Sequence, residues 1–230
     1  SKFVLHGMCK YPDNYIVAKS SENIVSISIS DPANNKSKRL KLLFIDSLNF
    51  LSGSLDNLSK ILINSGSRLS YLKQILTNAG YSDQVFSLSQ QKGVFPYDFV
   101  DSLEKLEEKS LPEKKEFKNS LTGEDISDSS YELAQNMWRA GRCRNLADYL
   151  GIYIRSDVGL LCEIFEAFRE TMFLTHHIDP AHFVSLPGYS LSAALFSSKI
   201  VIELIKDIDI HTIFEANIRG GLTTVVKPFT

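Results

Sequence analysis

At 230 residues, with 43% hydrophobic residues and only 12 Gly and 7 Pro, the chain has a core-forming composition that excludes a disordered or fibrous protein. The formal charge of −2 conceals an uneven spread: residues 1–100 carry 11 Lys and Arg against 7 Asp and Glu, and the remaining 130 carry 14 against 20. A mildly basic front half is compatible with nucleic acid without demanding it. Cys9, Cys143 and Cys162 are scattered and odd in number, which points away from a disulfide framework or a zinc ribbon and toward a reducing intracellular compartment. No apolar run approaches the roughly 18 residues that cross a bilayer, so no membrane partner is expected. The chain begins with Ser and runs directly into Phe3-Val4-Leu5, and it reads as a piece of something longer.

In chain order, residues 1–8 read as the end of an element already under way and residues 11–21 as a loop. Residues 24–30 alternate apolar and hydroxyl side chains, the pattern of a strand with one half-buried face. Asp31-Pro32-Ala33-Asn34-Asn35 supplies a turn, and residues 40–45 return as the second strand of a hairpin. Its basic end, Lys36, Lys38, Arg39 and Lys41, is a solvated tip or a phosphate-tracking patch. Residues 55–63 and 69–78 show helical spacing, with Ser54 and Ser67 as caps and Gly66 and Gly80 as stops. Lys92-Gly93-Val94-Phe95-Pro96-Tyr97 makes a stiff turn before a short helix over residues 97–108. In residues 101–128, 14 of 28 side chains are Asp, Glu or Lys, as in an exposed charged insertion. Helical packing resumes at residues 131–138, and Trp138 is expected in the core.

The most regular stretch follows. From Leu146 to Phe168 the large apolar residues recur at steps of three and four, which predicts a long helix with one buried stripe. Tyr153 and Asp157 lie one turn apart on the same side of it. One interpretation is a core tyrosine with an aspartate at the solvent boundary. The other is a carboxylate kept on an apolar face because it binds a divalent metal. His176, His177, Asp179 and His182 read as a polar loop, because adjacent histidines point to different sides. Residues 187–190 form a turn leading into a helix over 191–199, and residues 202–217 form the last helix.

Four features occur in one order: Ser47-Leu48 after a strand, Lys92-Gly93-Val94-Phe95, Tyr153-x-x-x-Asp157, and Arg219-Gly220-Gly221. In that order the chain resembles the family B DNA polymerases that start synthesis from a protein primer, especially the linear-plasmid and Maverick-type branch. The likeness runs from about Asp46 to Gly221. It implies an α/β fragment: the later part of an RNase H-like exonuclease domain over residues 1–172, then a mainly helical connector into a polymerase palm over residues 173–230.

The same resemblance implies the site. Asp157 becomes a ligand of a Mg²⁺ pair, Tyr153 the group that orients the attacking water, and Lys92 an assisting cation. Ser47 and Leu48 become contacts to a single-stranded 3′ end and to a terminal priming protein. Arg219, Gly220 and Gly221 become the joint at the DNA between the two domains. Local alternatives stand beside these roles: a helix N-cap for Ser47, a surface lysine for Lys92, and a plain Gly-Gly turn. A phosphodiester hydrolase needs several carboxylates around two metal ions. The family's Asp-x-Glu motif is not found, its next motif would fall before Ser1, and the palm aspartates are absent. The implied function is therefore that of a parent polymerase acting on primer-template DNA and dNTPs with 3′ to 5′ proofreading, while the isolated chain is expected to be inactive. The competing class is a non-enzymatic nucleic-acid-binding module that kept the fold and lost the catalysis.

Overall fold

The computed structural model describes residues 14–18, 24–30, 41–118, 123 and 125–218. Strands β1 (Asn14–Ala18), β2 (Ile24–Ser30) and β3 (Lys41–Ile45) form an antiparallel sheet in that order. The β2–β3 hairpin pairs Ile27 with Phe44 and Ser28 with Leu43. Residues 11–21, expected as a loop, contain β1, because β2 has a second edge that must find hydrogen-bond partners. As the middle strand, β2 is buried on both faces, with the serines as shielded as Ile27 and Ile29. The expected half-buried alternation does not occur there. The turn at residues 31–35 and its basic flank at Lys36, Lys38 and Arg39 lie outside the described residues, as do Arg219, Gly220 and Gly221.

Seven helices follow among the described residues: α1 (Leu55–Asn64), α2 (Ser70–Asn78), α3 (Asp83–Leu88), α4 (Asp128–Ala140), α5 (Leu146–His176), α6 (Leu186–Ser198) and α7 (Ile208–Asn217). Ser54 caps α1 by accepting from the Asn57 amide at 3.3 Å. Gly66 and Gly80 stop α1 and α2 in the left-handed region, both at φ +83°, where a side chain is strained. Residues 97–108 do not make the expected helix: only a 3-10 turn at Leu103–Glu107 forms there. The charged stretch is attached to the helical core by Phe117, which is buried and meets Tyr131 edge to face at 5.6 Å. Helix α6 begins five residues earlier than expected, with Pro187 in its first turn, where a missing N–H costs nothing. The last helix is shorter than expected and starts only at Ile208, behind an Asp207 cap.

Helix α5 is the axis of the packing. Asn145 accepts from the Asp148 amide at 3.1 Å to start it, and His177 ends it in a left-handed cap at φ 57°. It runs unbroken through residues 172 and 173. Its buried positions, Leu146, Tyr149, Ile152, Tyr153, Ser156, Gly159, Leu160, Glu163 and Ile164, form one stripe against α1, α2 and the 92–97 turn. Two of them are unusual for a core. Gly159 lets α2 approach so closely that a Cβ there would stand 2.6 Å from Leu72 Cδ1 and 3.2 Å from Leu72 Cα. Glu163 reaches across to accept from the Leu72 amide at 3.0 Å. That contact satisfies a first-turn N–H of α2, whose own N-cap, Leu69, makes no side-chain bond. Beyond the stripe, Arg169 holds Asp179 through its Nε and Nη2 at 2.6–3.0 Å. That pairing holds the Asp179 carboxyl at about 2, below the usual carboxylate range, and anchors the loop after α5. No helix among the described residues is long and apolar enough to cross a membrane.

Candidate functional site

Two clefts meet α5 near Asp157. The first, of about 370 Å³, lies between the chain leaving β3 and the helix; Asp46, Ser47, Leu48 and Leu51 line one side and Asp157, Val158 and Leu161 the other. Phe50 fixes this arrangement. It is buried and packs against Phe165 at 5.8 Å and Phe168 at 6.2 Å, pinning the turn after β3 to α5. The N-cap of that turn is Asp46, which accepts from the Leu48 amide at 3.0 Å. The alternative of Ser47 as a cap is therefore replaced: Asp46 takes the capping role, and Ser47 stands in the first turn. Leu48 is exposed on the cleft's rim.

The second cleft, of about 830 Å³, is lined by Lys92, Gly93, Phe95, Tyr97 and Tyr153 together with parts of α1 and α4. The 92–97 turn is fastened to α5 by Tyr149, which donates to the Val94 carbonyl at 2.7 Å, and by Phe95, whose ring meets Tyr153 at 5.5 Å. Gly93 lets the turn approach closely, since a Cβ would stand 3.3 Å from the Tyr153 ring, a tight contact. Tyr97 donates to the Tyr153 hydroxyl at 3.0 Å. Tyr153 accepts that bond and keeps its own proton for another acceptor.

Asp157 lines the first of these clefts, one turn along α5 from Tyr153 in the second, and is half buried. Its Oδ1 is shielded from solvent and has no hydrogen-bond partner. Burial pushes the carboxyl above its ordinary range, and the Tyr153 hydroxyl and the Lys92 ammonium draw it back down. Burial, the bond from Tyr97 and the Asp157 charge together drive the Tyr153 phenol upward, so it stays protonated and able to donate. The structure thus brings Ser47, Leu48, Lys92, Tyr153 and Asp157 to one region of α5. Spacing along the chain could not have revealed this, because Lys92 and Asp157 lie 65 positions apart. Asp46 and Tyr97 are the site neighbours that residue patterns missed. Asp46 carries the signal of an Asp followed two residues later by a helical amide, and Tyr97 carries none.

An acid whose carboxyl is raised by burial costs stability once it ionises. The cost is absent below the unfolded-state range and grows as pH rises through the raised value. Asp157→Asn is therefore expected to raise the melting temperature by a few degrees at neutral pH, for a gain of about 0.5–1 kcal/mol. The gain should vanish on acidification. Melting curves at pH 7 and at a pH below the unfolded-state carboxyl range check this, and a loss of stability at neutral pH would contradict a carboxyl whose burial outweighs its partners.

The donor chemistry bears on a metal. A carboxylate oxygen with no other partner is a hard donor suited to one coordination position of Mg²⁺. Among the described residues, however, no three His, Cys, Asp or Glu side chains gather into a group that could hold an ion. Asp157 fits as one ligand, and the described residues do not complete a metal pair.

Over residues 1–230 the sequence matches the family described as DNA polymerase type B, organellar and viral, and the chain belongs to that family. It is also similar to a protein named "Probable DNA polymerase" from Neurospora intermedia, with 24% identity over 209 residues that cover 90% of this chain and 19% of that protein. The chain spans about one fifth of the relative's length. No solved structure matches.

Proposed function

We propose that this part of a type B DNA polymerase forms the later portion of an RNase H-like 3′ to 5′ proofreading exonuclease and the start of the connection to the polymerising domain. The parent would copy primer-template DNA from dNTPs, beginning on a terminal priming protein. One observation carries the reading: Asp157 lines a cleft with one shielded, unpartnered oxygen, with a protonated phenol one turn away and Lys92 acting on the same carboxyl.

Each residue then has a physical task. Asp157 supplies one oxygen to Mg²⁺, with the remaining carboxylates contributed from elsewhere in the longer protein. The bound ions would activate a water and neutralise charge on the leaving oxygen. Tyr153, held by Tyr97 and unable to ionise near neutrality, donates its proton as a hydrogen bond and so orients a water or a phosphate oxygen. Lys92 adds positive charge beside the phosphodiester. Ser47 offers a hydroxyl and Leu48 an apolar face to the unpaired 3′ end or the priming protein, contacts that fix position without reading sequence. Arg219, Gly220 and Gly221 would let the backbone approach DNA where the two domains join.

The test is Tyr153→Phe in the intact polymerase. The ring keeps its packing and loses only its hydroxyl, so removal of a mismatched 3′ nucleotide should slow by about 10–100-fold, as expected for one positioned proton donor. Primer extension should be retained. Excision at the wild-type rate would overturn the role given to Tyr153, and an intact polymerase that removes no mismatched nucleotide at all would favour a binding module without catalysis.

A further inference from the structure

Asp46 has so far been given only a local role, as the cap of the turn after β3. It lines the same cleft as Ser47, Leu48 and Asp157. Its Oδ1 accepts from the Leu48 amide at 3.0 Å, its own backbone carbonyl takes the Asn49 amide, and the Ser47 carbonyl takes the amides of Phe50 and Leu51. The amides of residues 48–51 are therefore all satisfied inside the turn. Phe50 anchors the far end of the turn against Phe165 and Phe168, and Asp46 locks the near end. A side chain that caps spends its oxygen on an amide. Because the aspartate does so here, the Ser47 hydroxyl is spared and forms no hydrogen bond among the described residues. Leu48 beside it is 66% exposed.

A spare hydroxyl and an open leucine receive a substrate well only if the backbone beneath them already holds one conformation, since ordering it on binding would cost affinity. A carboxylate in a cleft that admits a polyanion also repels the phosphates, so its presence there calls for a local task. We propose that Asp46 is a positioning residue of proofreading: by holding the Leu48 amide it fixes the turn that carries Ser47 and Leu48 and leaves the Ser47 hydroxyl for the terminal nucleotide. It acts through its two neighbours and touches neither substrate nor metal. The assignment rests on the proofreading reading above and adds to it a residue that works on the backbone.

The experiment measures steady-state excision of a mismatched 3′ nucleotide by the intact polymerase, with extension of a matched primer and the melting temperature followed in the same variants. Asp46→Ala should raise the KM for excision by about 3–10-fold, the range for one lost hydrogen bond, and leave kcat within about twofold, the mark of lost substrate binding. Extension should not change. Asp46→Asn keeps an oxygen for the amide and should restore the KM. Ser47→Ala should raise the KM by a similar factor in the wild-type background, but by less than about twofold on top of Asp46→Ala, because a hydroxyl that is no longer held has little left to lose. A wild-type KM in Asp46→Ala would overturn the proposal, and so would full additivity with Ser47→Ala. A fall in extension and melting temperature that parallels the fall in excision would mark a merely structural cap and overturn it as well. A kcat loss of about 10²-fold shared by Asp46→Ala and Asp46→Asn would make the carboxylate a metal ligand in place of a positioning residue. Asp157→Ala, assayed alongside, separates the two claims: if excision survives in that variant the proofreading reading fails, and if excision is lost there while Asp46→Ala keeps the wild-type KM only the assignment of Asp46 fails.

Discussion

Asp157→Ala is expected to abolish proofreading by the intact polymerase, lowering excision of a mismatched 3′ nucleotide by 10²-fold or more while extension of a matched primer stays within about twofold. The size follows from the chemistry. A metal site loses several kcal/mol of transition-state stabilisation when a ligand is removed, and each 1.36 kcal/mol is about tenfold in rate. The selectivity follows from position: Asp157 lines the cleft between α5 and the chain leaving β3, and among the described residues the charge that acts on its carboxyl is that of Lys92. Together with the stability gain expected for Asp157→Asn, this makes a paired signature. A residue that lowers stability in the fold and is indispensable to one of two activities is kept for its chemistry. Gel assays of mismatched and matched primers give the readout, and excision at the wild-type level would falsify the metal-ligand role.

The second large effect is a change of sign within one helix. Glycine to alanine inside a helix ordinarily stabilises by about 1 kcal/mol. At Gly151 that gain should appear, because the added methyl meets the Tyr81 hydroxyl at an ordinary 3.8 Å and the Arg155 guanidinium at 3.0 Å, the far end of a flexible, exposed side chain that can give up its bond to the Gly151 carbonyl. At Gly159 the same methyl meets Leu72 at 2.6 Å on the side chain and 3.2 Å on Cα, and Leu72 is fully shielded with nowhere to move. Overpacking of this kind costs about 1–3 kcal/mol. Gly159→Ala is thus expected to be destabilising by up to about 2 kcal/mol net, against a gain of about 0.5–1 kcal/mol for Gly151→Ala. Chemical denaturation of the two variants decides it. The same sign for both would mean that α2 and α5 do not meet as closely as described.

The comparison of these glycines also shows what the sequence could disclose. The stripe on α5 was legible because a buried face imposes its period on every turn, and the β2–β3 hairpin was legible from its alternation. The Ser54 cap and the glycine stops were readable because they act within a few residues. What escaped depends on partners distant in the chain. Strand β1 exists because β2 offers an edge, α3 is too short to show a period, and residues 97–108 give up a helix for a 3-10 turn. Residues 202–207 carry apolar side chains at helical spacing, yet they form no helix, and Val201 and Leu204 remain exposed. The site divides in the same way. Tyr153 and Asp157 could be paired from spacing alone, Lys92 and Ser47 were linked to them only by family likeness, and Tyr97 emerged from the fold.

Both clefts are measured off a single unbroken helix, so its phase matters as much as its composition. One residue added or removed between Leu146 and Tyr153 would turn everything downstream by about 100° about the axis and displace it by about 1.5 Å. Asp157 would swing away from Ser47 and Leu48, Glu163 would lose the amide of Leu72, and Gly159 would no longer face the helix it admits. The segment from the Asn145 cap to Gly159 therefore behaves as a ruler: side chains on its outer surface are free to vary, while its length is fixed.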